Sequence, residues 1–80
     1  MIEECLSVLL KYFESQGKVI NKDNIMLLFY EELRAYARGW FETTLPDYEY
    51  YEIVYDGLKD EFYLNIYQKI RGCKITKNEE

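Results

Sequence analysis

The 80-residue chain contains no histidine. That absence removes the commonest general base of enzyme chemistry and the commonest metal ligand together. Glycine is sparse, and Gly17, Gly39, Gly57 and Gly72 stand apart, so no glycine-rich loop is present to cradle a phosphate. The two cysteines, Cys5 and Cys73, lie near opposite ends with no Cys-x-x-Cys spacing. Without histidine they fall short of the four ligands a structural zinc takes, and in a reducing compartment they are expected as free thiols. Ser7 and Ser15 have neither a nucleophile elbow nor a base beside them. Paired carboxylates such as Asp60 and Glu61 could serve a glycosidase, but so short a chain leaves little room for a sugar cleft. The inventory predicts a protein that is not an enzyme and takes no cofactor or metal.

Long apolar runs are also missing. The longest, from Ile25 to Tyr30, is six residues, against about 20 needed to cross a bilayer. The opening Met1-Ile2-Glu3-Glu4 lacks the basic start of a secretory signal. These features predict a cytoplasmic protein with no membrane role. Positive charge is in deficit, with ten basic against fifteen acidic residues and a net charge of −5. Affinity for nucleic acid comes largely from Lys and Arg displacing counterions, so direct nucleic-acid binding is disfavoured. A protein partner with a basic surface is the better electrostatic match.

Large rings are abundant: nine tyrosines, four phenylalanines and one tryptophan make up an 18% aromatic content. With 49% hydrophobic residues, the chain is too apolar for intrinsic disorder. Its length allows one domain, expected over residues 1–73 with a polar tail at 74–80. Rings build a core from few positions, and tyrosine serves binding faces as well.

The hydrophobic pattern predicts a helix over residues 2–16, with Ile2, Leu6, Leu9 and Phe13 on one stripe and Gly17 as a left-handed cap. A second helix is expected from Asn21 or Asp23 to about Arg38. Ile25, Phe29, Leu33, Tyr36 and Ala37 recur on it at helical spacing, and Gly39 follows its end. Thr43-Thr44-Leu45-Pro46-Asp47 has the character of a connection. Beyond it two Tyr-, Ile- and Val-rich stretches flank Asp56-Gly57, a hairpin signal. Phe62, Leu64, Ile66 and Ile70 alternate with polar or tyrosine positions. The expected class is therefore α+β, two N-terminal helices followed by a small antiparallel β-hairpin or sheet. An all-α four-helix bundle is the alternative, because Tyr51, Tyr55, Leu58, Phe62, Ile66 and Ile70 also fit a helical period.

Charge is unevenly placed. Seven carboxylates, at positions 42, 47, 49, 52, 56, 60 and 61, face the single base Lys59. Tyrosines are interleaved with them, so Glu42, Asp47, Tyr48, Glu49, Tyr50, Glu52, Asp56, Asp60 and Glu61 form the candidate partner-binding segment. Solvated charges that protect a strand edge are the competing explanation. In size, acidity, tyrosine content and lack of chemistry the chain is similar in kind to small inhibitors made by viruses and mobile elements. Anti-CRISPR proteins, DNA mimics and immunity proteins are of that sort. The likeness rests on no shared motif and transfers no residue role. It implies an inhibitor or modulator that blocks a basic, nucleic-acid-binding surface of a partner protein. Two other classes compete with it. One is a small dimeric DNA-binding regulator of winged-helix outline, using Arg34, Arg38, Lys69, Arg71, Lys74 and Lys77. The other is a homodimeric scaffold joined through Met26, Leu27 and Tyr30.

Overall fold

The computed structural model describes residues 1–69. One helix, α1 (Ile2–Ser15), is followed by a single 3₁₀ turn (Lys22–Asn24) and four strands. These are β1 (Ile25–Leu33), β2 (Tyr36–Thr43), β3 (Glu49–Asp56) and β4 (Glu61–Gln68). The strands form one antiparallel sheet in the order β1-β2-β3-β4, and α1 packs on one face of it. The α+β class holds, with one helix in place of two, and the all-α alternative does not.

The first helix follows the sequence closely. Cys5, Leu9 and Phe13, one turn apart, are its fully buried stripe, while Ile2 and Leu6 are half-buried at the margin. Glu3 and Glu4 lie in the first turn, where carboxylates favour the positive end of the helix dipole. At the other end Gly17 takes φ +73°, as expected of a left-handed cap. The Lys18 N–H donates to the Phe13 carbonyl and the Gly17 N–H to that of Glu14, so both loose carbonyls are satisfied.

The expected second helix is a β-hairpin. Asn21 does cap, accepting from the Asp23 N–H at 2.9 Å, while Asn24 returns the favour to the Asn21 N–H. The box closes one turn only, and the chain then extends into β1. Two residues, Arg34 and Ala35, join β1 to β2, with Arg34 at φ +56°. The helical spacing of Ile25, Phe29 and Leu33 was misleading for a physical reason. β1 is irregular between Leu27 and Phe29, which breaks strand alternation, and as an edge strand it is largely exposed on both faces. The winged-helix outline loses its second helix with this correction.

The second hairpin is as expected: Asp56 pairs with Glu61, and β3 and β4 run in register back to Glu49 and Gln68. The connection at 44–48 lies between β2 and β3, pinned by the Leu45 N–H donating to the Thr43 hydroxyl. Cys5, Leu9 and Phe13 meet Ile25, Phe41, Tyr51 and Ile53 to form the core, and the Phe13 and Tyr51 rings pack edge-to-face at 5.1 Å. Among the described residues no helix is long and apolar enough to cross a membrane. Cys73, Ile70, Arg71, Lys74 and Lys77, the expected domain end at 73 and the tail at 74–80 lie outside the described residues.

Candidate functional site

Strand alternation assigns every sheet residue to a face. Ala37, Phe41 and Thr43 of β2, Tyr51 and Ile53 of β3, and Phe62 and Leu64 of β4 turn toward α1. Their neighbours turn the other way, onto a face that no described element covers. On that open face lie Met26, Phe29, Glu31 and Leu33 of β1 and Tyr36, Arg38, Trp40 and Glu42 of β2. Tyr50, Glu52, Val54 and Asp56 of β3, with Glu61, Tyr63, Asn65 and Tyr67 of β4, complete it. One helix cannot roof two faces, so six aromatic rings stay at the surface.

The centre of the face is a closed polar network. Glu52 is only 5% exposed. Its carboxylate accepts from Arg38 Nε at 2.9 Å, from Asn65 Nδ2 at 3.1 Å and from the Tyr67 hydroxyl at 3.1 Å. A buried carboxylate is tolerable only with such partners. The bond to Glu52 also raises the Tyr67 hydroxyl above the usual tyrosine pKa. Above this network the Trp40 and Tyr67 rings meet at 5.1 Å. Arg38 extends the network to Glu31 of β1 at 3.5 Å, beside a shallow depression of about 240 Å³ lined by Leu33, Tyr36 and Val54. At the other end Lys69 pairs with Glu42 and lies 4.6 Å from the Tyr50 ring centre. The Glu42 carboxylate holds the Lys69 ammonium above its usual pKa. Five carboxylates (Glu31, Glu42, Glu52, Asp56, Glu61) and two cations (Arg38, Lys69) give the face a net charge of −3.

The nine candidate residues do not form one patch. Glu42, Tyr50, Glu52, Asp56 and Glu61 lie on the open face. Asp47, Tyr48 and Glu49 belong to the β2–β3 end, and Asp60 to the β3–β4 turn. Glu49 and Asp56 stand at opposite ends of the eight-residue β3, about 23 Å apart. Most of the carboxylates are engaged within the chain. Asp47 and Glu49 both accept from the Tyr51 hydroxyl, which burial and these two carboxylates hold well above the usual tyrosine pKa. Asp56 accepts from the Leu58 and Lys59 N–H groups of its turn, Asp60 from the Tyr55 hydroxyl, and Glu61 from that of Tyr63. Tyr48, 70% exposed with φ +56°, is the freest of the nine.

Sequence reasoning did not separate Trp40 from Phe41, neighbours in the chain that point to opposite faces. Trp40 joins the open face and Phe41 is fully buried. It missed Phe29, Tyr36, Arg38 and Tyr67 as members of one surface. The signal was present in the alternation Tyr36, Arg38, Trp40, Glu42 against Ala37, Gly39, Phe41, Thr43. A broader groove of about 670 Å³ runs between α1 and residues 18–22, lined by Leu6, Leu10 and Ile20 among scattered charges. Among the described residues no three His, Cys, Asp or Glu side chains gather as a metal site.

Residues 2–77 match the model of a family described as "Family of unknown function (DUF6275)". No curated protein and no solved structure matches the chain.

Proposed function

The chain belongs to this family of unknown function, and we propose that it is a small protein-binding inhibitor or modulator that presents its open sheet face to an arginine-rich surface of a partner protein. The observation that carries the reading is the uncovered face itself, with its aromatic rings and net negative charge on a rigid four-stranded sheet. Tyrosine and tryptophan supply contact area at little entropic cost, and arginine is their common counterpart through stacking and cation–π contact. The carboxylates at the rim, Glu31, Asp56 and Glu61, steer such a partner into place. Arginine-rich surfaces commonly bind nucleic acid, so occupying one blocks that use. A single continuous file of phosphate-like charges is not needed for this, and the engaged carboxylates of residues 42–61 argue for a mixed aromatic and acidic contact instead.

Trp40 is the single tryptophan and sits on this face, so it reports binding directly. Titration with an arginine-rich polypeptide should shift its emission, and the effect should weaken as salt rises and shortens the Debye length. The double variant Tyr63→Ala/Glu61→Lys should weaken the same interaction several-fold while leaving the circular dichroism unchanged. Emission indifferent to the polypeptide, or binding unaffected by the double variant, would sink the reading.

A further inference from the structure

The open face carries two cations of its own, and their places separate two kinds of contact. The Lys69 ammonium lies 4.6 Å from the Tyr50 ring centre and is paired with Glu42, so an ammonium already fills that place. Further in, Trp40 pairs with Glu52 and Glu52 with Asn65. Tyr67, opposite Tyr50 on β4, reaches across β3 to set its ring 5.1 Å from that of Trp40, at 39°. Its hydroxyl donates to Glu52 at 3.1 Å, which draws the phenol toward phenolate and enriches the ring in electrons. Tyr67 stays 46% exposed, whereas the Glu52 carboxylate is covered, with Arg38 and Asn65 as its other donors. A cation arriving from solvent therefore meets ring surface, with a buried negative charge close behind it and no exposed oxygen of Glu52. The remaining charges do not reverse this field. Arg38 is shared by Glu31 and Glu52, Lys69 cancels Glu42, and Asp56 and Glu61 add negative charge at the far end. The turns beyond them contribute Arg34, Lys59 and Asp60, which leaves the balance of face and turns negative.

Resting on the reading of this face as the contact for a cationic partner, we propose that the Trp40–Tyr67 pair is a guanidinium subsite. It takes one arginine of the partner flat against its rings and discriminates against lysine. A guanidinium is planar and weakly hydrated, and it stacks on rings while its edge keeps hydrogen bonds to water. An ammonium is a strongly hydrated point charge, which gives up water only where an oxygen replaces it. At the pair, Glu52 offers charge at a distance and no direct bond to a newcomer. Arginine gains from ring contact and field together, lysine from the field alone.

Two homopolymers of equal length, one of arginine and one of lysine, test this with Trp40 emission as the readout. The arginine polymer should bind roughly tenfold tighter. Tyr67→Leu removes ring and hydroxyl, and should bring the two affinities within about twofold by weakening arginine. Tyr67→Phe keeps the ring, loses the Glu52 bond and should lower the preference about threefold, a readout that stands even if Tyr67→Leu does not fold. Equal affinities in the wild type, or a preference that both variants leave intact, would overturn the subsite. Equal binding that Tyr63→Ala/Glu61→Lys still weakens keeps the open face as the contact and strikes the subsite alone. No binding of either polymer strikes both.

Discussion

At the scale of single residues, Glu52 and Gly57 show what one position carries. Glu52 satisfies three donors from two neighbouring strands while almost wholly covered. Glu52→Ala leaves Arg38, Asn65 and Tyr67 without their common acceptor. Arg38 is half-exposed and water can take over part of its solvation, so the expected loss is about 2 kcal/mol. Urea unfolding should show a lower midpoint with an unchanged slope; an unmoved midpoint would mean the network is incidental. Gly57 completed the Asp-Gly hairpin signal, but its reason is different from the usual left-handed turn. The left-handed residue of that turn is Asp60, at φ +54°. A Cβ at Gly57 would lie 2.4 Å from the backbone oxygen of Ala35, which accepts the Gly57 N–H at 2.8 Å. The glycine therefore lets the two turns at this end of the sheet meet. Gly57→Ala should destabilise by about 2 kcal/mol, since backbone must move to admit the methyl. The hairpin was legible from this residue, but its close approach to another turn was not, because that contact is tertiary.

At the scale of elements, legibility tracked the local signals. Residues 2–17 carried an apolar stripe and a glycine cap; helix and cap fold as read, with the fully buried stripe moved to Cys5, Leu9 and Phe13. The β1–β2 hairpin carried none of the usual marks. Its turn is Arg34-Ala35, with no Gly, Asn, Asp or Pro, and the continuous apolar run of β1 hides the strand period. The cost of that turn falls on Arg34, held at φ +56° where a side chain crowds its own carbonyl. Arg34→Gly should relieve it and raise stability by up to about 1 kcal/mol. A rise in melting temperature is the expected readout; a fall would show that the arginine side chain contributes more than the backbone strain costs.

At the scale of the whole molecule, composition showed an abundance of large rings, but the geometry that sorts them between core and surface could not be read from one sequence. Tyr51 and Tyr67 are both tyrosines beside carboxylates, yet one is fully buried in the core and the other stands on the open face. Only the register, fixed by pairing across β2, β3 and β4, separates them. The buried and engaged tyrosines share a consequence at high pH. Tyr30 is pushed up to about 12, chiefly by burial and then by the Glu32 carboxylate. Burial raises Tyr51 further, and bonds to Asp60 and Glu52 raise Tyr55 and Tyr67. A raised pKa means the folded state favours the neutral phenol more than the unfolded chain does, where tyrosine ionises near 10. The stabilisation from these groups is thus complete below pH about 10 and is lost as pH rises through the folded values. Lys69, raised by Glu42, loses its contribution in the same direction. Melting temperature should therefore fall progressively above pH about 10, and phenolate absorbance of the folded protein should lag behind that of the chain in urea. Coincident titration curves for the folded and unfolded chains, with a melting temperature flat to pH about 12, would show that these hydroxyls are not held as the packing of Tyr51 and the Glu52 network require.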